Sequence, residues 1–189
     1  SIISSFGKTG GGGTYVDGTI VDFNVSEQFV DDEIYDGIRY AFSGWSGGKT
    51  PGLMSNTIKM SETVSINATW NKQWRLDIVD SADKTTILQS SWHDVNSIAP
   101  LITSNVNPNF ENKIKRTINS WVSTGVNFAD IEDPTKPITS IVMDDHYQVS
   151  IDWKNQFYID ASSPYGTVSG SGWDDEGDVV VASINQQTY

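Results

Sequence analysis

One short segment has the spacing of a hydrolase nucleophile. Gly44-Trp45-Ser46-Gly47-Gly48 fits the G-x-S-x-G pattern, in which the serine lies on a sharp turn between a strand and a helix. That chemistry also needs a histidine and an acid within reach, and the chain has only His93 and His146 to offer. The next residues, Lys49-Thr50-Pro51-Gly52, cannot start a regular helix. The segment therefore predicts a turn at the end of a strand, and we expect Ser46 to have no catalytic role.

Three acidic runs could supply oxygen ligands to calcium: Asp31-Asp32-Glu33, Asp144-Asp145 and Asp174-Asp175-Glu176. None of them forms a D-x-D-x-D-G loop, and each falls where a turn between strands is expected. Two histidines and no cysteine disfavour a zinc site. We expect these carboxylates to lie in solvated turns, and we expect no catalytic residue, cofactor or metal in the chain.

The composition excludes several classes of protein. The 189 residues include 12 Lys and Arg against 24 Asp and Glu, a formal charge of −12. A nucleic-acid-binding protein needs a basic patch to neutralise phosphate, and the sequence has no cluster of Lys or Arg. No apolar run approaches the roughly 20 residues that span a bilayer. Charged residues make up only 19% and aromatic residues 11%, which together with many Ser, Thr, Asn and Gly favours β-structure with frequent turns.

An internal repeat organises the chain. Residues 60–73 align without a gap on residues 143–156, and the alignment matches Trp70 with Trp153. Both copies alternate apolar and polar residues, which is the period-2 pattern of a half-buried strand. We therefore expect Trp70 and Trp153 to hold equivalent positions in two similar β-units.

A second block of the repeat lies upstream of the first. Ile38–Trp45 matches Ile114–Trp121, with about seven extra residues inserted in the second copy within 122–137. Apolar residues in 109–121 also have helical spacing, so periodicity alone leaves a helix open there. The counterpart segment is rich in Tyr, Phe and Ile and alternates in polarity, so we predict strands in both copies.

A third block repeats the opening of the unit. Residues 5–7 resemble 164–166, and residues 15–23 resemble 173–182, while 90–94 occupies the same place in the middle of the chain. The chain is therefore expected to contain two units and a fraction. Their predicted bounds are 1–73, 74–156 (divergent, with the insertion in 122–137) and a partial third unit at 157–189.

These aromatic and glycine signatures resemble the divergent InlB B-repeat/bacterial repeat class, in the form found in archaeal surface proteins. The residues that carry the resemblance are Tyr165-Gly166, Gly170–Gly177, Arg39–Gly47 and the stretch from Met60 to Trp70. The resemblance implies a small all-β module used in tandem in exported proteins, and it brings no catalytic residues. The middle unit departs from the pattern, because Ser120 stands where the family has glycine.

We expect an all-β fold of small sandwich-like or β-grasp-like modules stacked head to tail. The expected function is that of a non-enzymatic, extracellular structural subunit of a pilus-like surface filament or surface layer, with copies of itself as partners. The alternative is a carbohydrate- or protein-binding module of an adhesin or a larger exported enzyme, which would bind surface glycans. A chain that begins at Ser1 without Met is expected of a processed mature protein or an excised fragment.

Particular residues follow from this interpretation. Asn24 and Asn67 head N-x-S/T triplets and are candidate glycosylation sites of a glycoprotein. Val179, Val180 and Val181 are expected to form an inter-subunit strand by donor-strand complementation, because they lie in the incomplete unit. Tryptophans that recur in the repeat are expected to pack in the core or at its edge, although exposed ones could stack on sugars; they are Trp45, Trp70, Trp92, Trp121, Trp153 and Trp173.

Overall fold

The computed structural model describes residues 1–47, 50–103 and 113–186. Gly48 of the G-x-S-x-G segment, the first part of the ambiguous stretch 109–121 and the last residues of the partial unit lie outside the described residues. The regular elements of the described chain are fifteen strands: β1 (Ile2–Ile3), β2 (Thr9–Gly10), β3 (Ile20–Val25), β4 (Phe29–Asp31), β5 (Ile38–Trp45), β6 (Ser55–Lys59), β7 (Ile66–Val79), β8 (Ile87–Asp94), β9 (Ile98–Ile102), β10 (Ile114–Ser123), β11 (Ile138–Val142), β12 (Tyr147–Ile159), β13 (Gly166–Ser169), β14 (Gly172–Asp175) and β15 (Ser183–Gln186).

The predicted all-β class is confirmed, and the stretch with helical spacing is a strand from Ile114 onward. Among the described residues there is no helix able to cross a membrane. The fold divides into two compact units that do not follow chain order: the first contains 1–77, 89–98 and 142–147, and the second contains 78–88, 99–141 and 148–189. β7 and β12 run without a break through the predicted boundaries after residues 73 and 156. The stacking of sandwich-like modules stays a prediction.

The first unit contains two sheets. In one sheet β5 lies between β4 and β7, and β7 also pairs with β8 and, in parallel, with β1. The other sheet has the order β2-β3-β6. Alternation along β3 buries Val21, Phe23 and Val25 and exposes the residues between them. Phe23 and Val25 join Trp45 of β5 and Ile66 of β7 in the core of this unit, so the two sheets bury their apolar faces against each other.

In the described chain, the second unit contains three small sheets. β12 lies between β10 and β14 in one sheet, and the pairs β9-β11 and β13-β15 form two others. Alternation buries Ala99 and Leu101 of β9 and Thr139 and Ile141 of β11. β9 and β11 therefore repeat the buried and exposed pattern of β3 and β6.

The repeat predicted from sequence is present in the strand register. Trp70 of β7 lies opposite Phe42 of β5, and Trp153 of β12 lies opposite Ile118 of β10. In both pairs the register shifts by one residue immediately after these partners. Trp70 and Trp153 therefore share the same place in the strand register, while the two superposable units stay a prediction.

The two register shifts differ in their backbone. Gly44 follows the shift in the first copy with a φ of +149°, and a Cβ on it would lie 3.0 Å from the carbonyl oxygen of Pro51. Ser120 follows the shift in the second copy with an ordinary negative φ. Position 44 therefore needs glycine, because its φ is positive and the carbonyl oxygen of Pro51 lies close to it. Position 120 accepts serine because its φ is negative.

The buried tryptophans of the two copies make the same hydrogen bond. The indole Nε1–H of Trp45 donates to the carbonyl oxygen of Leu53 at 2.9 Å, and that of Trp121 donates to the carbonyl oxygen of Lys136 at 3.0 Å. Both rings are buried. Each tryptophan thus fastens the connection that leads to the next strand, β6 or β11.

We expect Trp45→Phe and Trp121→Phe each to lower the free energy of unfolding by about 1–2 kcal/mol, because a carbonyl loses its partner while most of the apolar contact is kept. Urea denaturation followed by circular dichroism measures the change. Trp74→Phe is the matched control, since the buried Nε1–H of Trp74 has no hydrogen-bond partner in the described chain. A loss at Trp74 as large as the loss at Trp45 and Trp121 would contradict this assignment.

Candidate functional site

The serine of the G-x-S-x-G segment is bonded to backbone. The Oγ of Ser46 accepts the N–H of Asn67 at 2.8 Å, and the N–H of Ser46 donates to the carbonyl oxygen of Asn67 at 2.9 Å. The two histidines bond other groups: Nε2 of His93 lies 2.8 Å from the hydroxyl of Ser91, and His146 contacts a carboxylate described next. In the described chain, Ser46 therefore connects the end of β5 to β7 through two hydrogen bonds with the backbone of Asn67.

A buried carboxylate in the first unit collects three polar side chains. Asp77, fully buried on β7, accepts hydrogen bonds from Nε of Arg75 at 2.9 Å, the hydroxyl of Ser90 at 2.5 Å and Nε2 of His146 at 3.1 Å. The same Arg75 makes a two-bond ion pair with Asp36, at 2.7 and 2.8 Å. Both oxygens of the buried carboxylate thus have hydrogen-bond partners: Oδ1 bonds Ser90, and Oδ2 bonds Arg75 and His146.

The order of these contacts differs from that of a catalytic triad. In a triad the histidine lies between the serine and the acid, so that it can take the serine proton. Here Ser90 and His146 both bond the acid. A close approach fixes the histidine, since a Cβ on Gly37, whose φ is +84°, would lie 2.4 Å from the ring of His146. The arrangement joins β7, β8, the turn at Gly37 and the segment 142–147 within one unit.

Sequence reasoning missed Asp77. Its signal was a charged residue inside the apolar run Leu76-Asp77-Ile78-Val79, where alternation alone would place it on one face of a strand. Its partners come from segments far apart in sequence, so the pattern around Asp77 could indicate burial but could not name Ser90 or His146.

We expect Asp77→Ala to lower the free energy of unfolding by about 3 kcal/mol, because Arg75, Ser90 and His146 all lose their shared acceptor and the fully buried carboxylate leaves a cavity. Asp36→Ala removes the other, largely exposed carboxylate of the same arginine and is expected to cost less than about 1 kcal/mol. Urea denaturation of the two variants provides the comparison. Equal losses, or a loss below 1 kcal/mol for Asp77→Ala, would contradict the anchoring role.

A cation–tryptophan contact recurs in the repeat. The guanidinium of Arg39 lies 4.6 Å from the ring centre of Trp92, and the ammonium of Lys115 lies 5.2 Å from that of Trp173. Arg39 and Lys115 are the second residues of the matching strands β5 and β10. Trp92 and Trp173 are therefore packed under cations at equivalent places.

A side-chain hydrogen bond recurs beside each of these tryptophans. Nε2 of Gln73 donates to Asp94 at 2.8 Å, and Nε2 of Gln156 donates to Asp175 at 2.5 Å. The ammonium of Lys154 also bonds Asp175, and this holds the pKa of that carboxyl below its usual range, with Gln156 adding to the effect. Each aspartate is thus fastened to a long central strand.

Asp94 and Asp175 are each the first residue of a four-residue turn, and residues 16–19 form the same turn in the first copy. We call these three turns the repeat turns. In the three repeat turns, 16–19, 94–97 and 175–178, the fourth N–H donates to the first carbonyl. The third residue always has a positive φ; these residues are Gly18 at 81°, Asn96 at 62° and Gly177 at 92°. The third copy of the repeat therefore contains the same turn as the other two, and its strand β14 pairs with β12 of the same chain.

The hairpin around the third repeat turn copies the first hairpin. Thr9 of β2 lies opposite Val25 of β3, and Val168 of β13 lies opposite Ile184 of β15 in the corresponding register. A glycine with positive φ crosses the second strand in both cases, since a Cβ on Gly11 would lie 2.3 Å from a carbonyl oxygen and one on Gly170 would lie 2.8 Å from another. The segments 5–27 and 164–186 are thus equivalent residue by residue.

The third copy differs from the first at one edge. The outer edge of β3 is paired with β6, and its core residues are buried. The equivalent stretch Val179–Ala182 is not a strand, and Val180 and Ala182 make no hydrogen bond in the described chain. Val180 is half-buried and Ala182 and Ile184 are exposed, whereas their equivalents Val21, Phe23 and Val25 are buried. We call Val179–Ala182, whose backbone is unpaired in the described chain, the open edge.

The remaining predicted site residues lie at strand positions. Trp45 and Trp121 are buried, while the other repeating tryptophans, Trp70, Trp92, Trp153 and Trp173, are half-buried. Asn24 and Asn67 are exposed on β3 and β7, and their glycosylation stays a prediction. An open cleft of about 410 Å³ between residues 13–17 and 60–64 is lined mostly by polar residues, together with Tyr15, Met60 and Val64; none of the tryptophans lines it in the described chain.

Of the acidic runs, Asp144-Asp145 lies in a turn, but Asp31 ends β4 and Asp174 and Asp175 belong to β14, so the prediction of turns is wrong for these three residues. The carboxylate of Asp32 accepts the N–H groups of Ile34 and Tyr35, and these bonds lower its pKa. The carboxylate of Asp145 accepts the backbone N–H of the next residue, His146. Among the described residues, no three carboxylate, histidine or cysteine side chains come together in a way that could hold a metal ion.

Comparison with known proteins adds no relative: neither a family model, nor a curated protein, nor a solved structure matches the chain. The resemblance to the B-repeat class therefore stays a prediction from the quoted motifs.

We expect the carboxyl of Asp175 to titrate below the ordinary value of about 3.9 for aspartate. Because its folded-state pKa is lowered, the contact with Lys154 stabilises the third repeat turn above that ordinary value and is lost as the pH falls through the lowered pKa. Carboxyl-detected NMR should show the pKa rising in Lys154→Met. The control Lys113→Met, which removes the partner of Asp160, should leave the pKa of Asp175 unchanged. An unmoved pKa in Lys154→Met would contradict this cause.

Proposed function

We propose that the protein is a non-enzymatic, extracellular structural subunit of a pilus-like cell-surface filament or surface layer, in which copies of the chain assemble head to tail. The open edge is the observation that carries the proposal. Its equivalents in the other two copies, β3 and β9, are paired along this edge, whereas Val179–Ala182 is unpaired in the described chain, and Ala182 and Ile184 are exposed where Phe23 and Val25 are buried. Isolated proteins avoid such edges because they pair with other chains.

The physical form of the contact follows from what the open edge offers. Strand addition supplies backbone hydrogen bonds along the edge, and alternate side chains supply the specificity. The open edge lies in the third copy, and the equivalent strand of the first copy, β3, is covered by β6. A contact between unlike surfaces is heterologous, and it builds an open filament when its rotation does not close a ring.

Other features support a structural role and an exterior location. The polar network around Asp77 has the geometry of an anchor, and the hydroxyl of Ser46 is committed to backbone. The chain is acidic, and both of its N-x-S/T asparagines are exposed. Assembly of chains that each carry a charge of −12 favours an uncharged contact, and the residues of the open edge are uncharged.

Truncation tests the proposal. We expect the chain ending at Asp178 to lose any high-mass fraction in size-exclusion chromatography with light scattering, because it lacks the open edge but keeps β14 on β12. The chain ending at Gln186 is the control and should assemble as the full chain does. Electron microscopy of the high-mass fraction should show filaments or sheets. Filaments formed by the chain ending at Asp178, or a full chain that stays monomeric at millimolar concentration, would contradict the proposal.

A further inference from the structure

An aromatic side chain covers the strand tryptophan in the first copy of the repeat. The ring of Phe6 stacks on that of Tyr40 of β5, with ring centres 3.6 Å apart, and meets Trp70 of β7 edge-on at 6.1 Å. The hydroxyl of Ser4 accepts the indole N–H of Trp70 at 3.0 Å. The segment 4–7 therefore packs against Trp70 and also pairs its polar atom.

The second copy has an acidic residue at the position of this ring. Residues 81–84 correspond to residues 4–7, because each segment begins with serine and its fourth residue has a left-handed φ, +57° in the second copy and +65° in the first. Asp83 then stands where the first copy has Phe6. Its carboxylate accepts the N–H of Thr86 at 2.8 Å, so this side chain is engaged in a turn of its own segment.

An open pocket of about 240 Å³ lies beside the corresponding tryptophan of the second copy. Trp153 has the place of Trp70 in the strand register, and Arg116 has the place of Tyr40, two residues before the partner of the tryptophan. The space is large enough for one six-membered ring. We call it the Trp153 pocket, and it is lined by Ser81, Arg116, Asp152, Trp153 and Asn155.

The Trp153 pocket has hydrogen-bonding capacity that the described chain does not use. Asp152 accepts a side-chain amide at 2.6 Å with Oδ2 alone, and Asn155 donates its own amide to a carboxylate at 3.1 Å, so one oxygen of each residue is left over. Within the described residues, the guanidinium of Arg116 and the indole N–H of Trp153 make no hydrogen bond. Donors and acceptors thus stand together beside an aromatic ring.

We propose that the Trp153 pocket binds one neutral pyranose ring of a saccharide. The inference goes beyond the proposed structural role and does not depend on it. A pyranose carries C–H groups on its faces and hydroxyl groups around its rim. A C–H face fits against the electron-rich indole of Trp153, while the hydroxyl groups donate to Asp152 and Asn155 and accept from Arg116.

The lining of the pocket favours a saccharide over an apolar aromatic ring. In the first copy, Phe6 stacks on a second aromatic ring. In the second copy, the place of that second ring is taken by the cation Arg116, with the carboxylate of Asp152 nearby in the same pocket. An apolar ring would displace water from both charged groups without replacing its hydrogen bonds, and this loss is costly. A ring that carries hydroxyl groups replaces them.

The charges of the molecule favour a neutral saccharide over an acidic one. Within the Trp153 pocket, the positive charge of Arg116 is accompanied by the negative charge of Asp152. The whole chain carries a formal charge of −12, which repels anionic ligands. Hydroxyl groups satisfy the cation and the anion of the pocket alike, so the ligand needs no charge of its own.

Titration of the ¹⁵N-labelled full chain with simple glycosides tests the inference. The probes are the methyl pyranosides of glucose, galactose, mannose and N-acetylglucosamine. We expect at least one of them to shift the indole N–H resonance of Trp153 and the amides of Ser81 and Asn155 saturably at millimolar concentration, because one ring makes few contacts. Sorbitol has similar hydroxyl groups but no ring, and it should give no saturable shift. No saturable shift from any of the glycosides up to about 100 mM would overturn the inference.

Substitutions of the two charged residues locate the binding site. Arg116→Gln and Asp152→Asn should each weaken glycoside binding by about tenfold, because each replaces a charge-assisted hydrogen bond by a neutral one. Lys115→Gln is the matched control: it removes the same charge from the neighbouring residue, whose ammonium lies over Trp173, and should leave binding unchanged. Spectra that are otherwise unchanged show that each variant is folded. Binding that is equally weak in Lys115→Gln, or unaltered in Arg116→Gln and Asp152→Asn, would overturn the inference.

A variant that restores the ring of the first copy gives the complementary test. Asp83→Phe should abolish glycoside binding, because the new ring fills the pocket as Phe6 covers Trp70. A shifted indole N–H resonance of Trp153 in the free variant shows that the ring has entered. Asp83→Ala removes the same turn bonds without adding a ring, and it should bind as the unaltered chain does. Undiminished binding to Asp83→Phe with its ring inside would overturn the pocket as the site, and if the ring stays outside, the charge variants decide.

The remaining outcomes concern the class of ligand and the proposed function. Benzyl alcohol carries an apolar ring with a single hydroxyl group. Saturation of the same resonances by benzyl alcohol at a lower concentration than by any glycoside would indicate an aromatic site and would overturn the saccharide assignment. Glycoside binding by a chain that never assembles supports the Trp153 pocket and contradicts the filament, while assembly without any glycoside binding supports the filament and contradicts the pocket.

Discussion

The strand that follows each repeat turn needs a second strand on its outer edge, and the structure depends on how this need is met. An uncovered strand leaves N–H and C=O groups unpaired and leaves one apolar face against water. β3 is covered by β6 and β9 by β11, and in both cases a methionine closes the turn. The same stretch of the third copy adopts no strand. In the described chain, this segment is a strand in the two copies where it is covered and is not one in the third.

The long strands β7 and β12 position everything around the turns. Each carries a tryptophan at the register shift and, three residues later, a glutamine that holds the aspartate of the next repeat turn. Near their ends the two strands differ. Asp77 of β7 is buried under three donors, whereas its sequence counterpart Asp160 is exposed and pairs with Lys113 at 3.3 Å. The repeat therefore conserves the scaffold of the turn, while a single aspartate position serves two different environments.

Much of this architecture could be predicted from the sequence because the repeat compares the chain with itself. A gapless match of 60–73 with 143–156 identified equivalent strands, and the match of Ile38–Trp45 with Ile114–Trp121 favoured strands over a helix in the ambiguous stretch before Trp121. Long-range partners could not be predicted in this way. The network of Asp77 joins segments that the repeat does not relate, and the packing of 142–147 into the first unit depends on the whole fold.

The sequence also indicated an incomplete third copy, but not which of its residues are uncovered. The valine run suggested an inter-subunit strand at Val179, Val180 and Val181, all three alike. By the register, Val180 and Ala182 are equivalent to the buried Val21 and Phe23, and Val181 is equivalent to the exposed Asp22, while the inter-subunit strand itself stays a prediction; the preceding β14 pairs with β12 of the same chain. Periodicity in a run of identical residues has no phase, so only the pairing of β13 with β15 could supply it.

Amide hydrogen exchange of the full chain tests the central claim most directly, because it reports whether each backbone N–H is paired. The account predicts strong protection at Val21, Phe23, Ala99 and Leu101, and unprotected exchange at Val180 and Ala182 in the dilute chain. It further predicts that Val180 and Ala182, but not Val181, become protected when the chain assembles. Protection of Val180 and Ala182 in the dilute monomer equal to that of Val21 and Phe23 would contradict it, because the third copy would then be complete within its own chain.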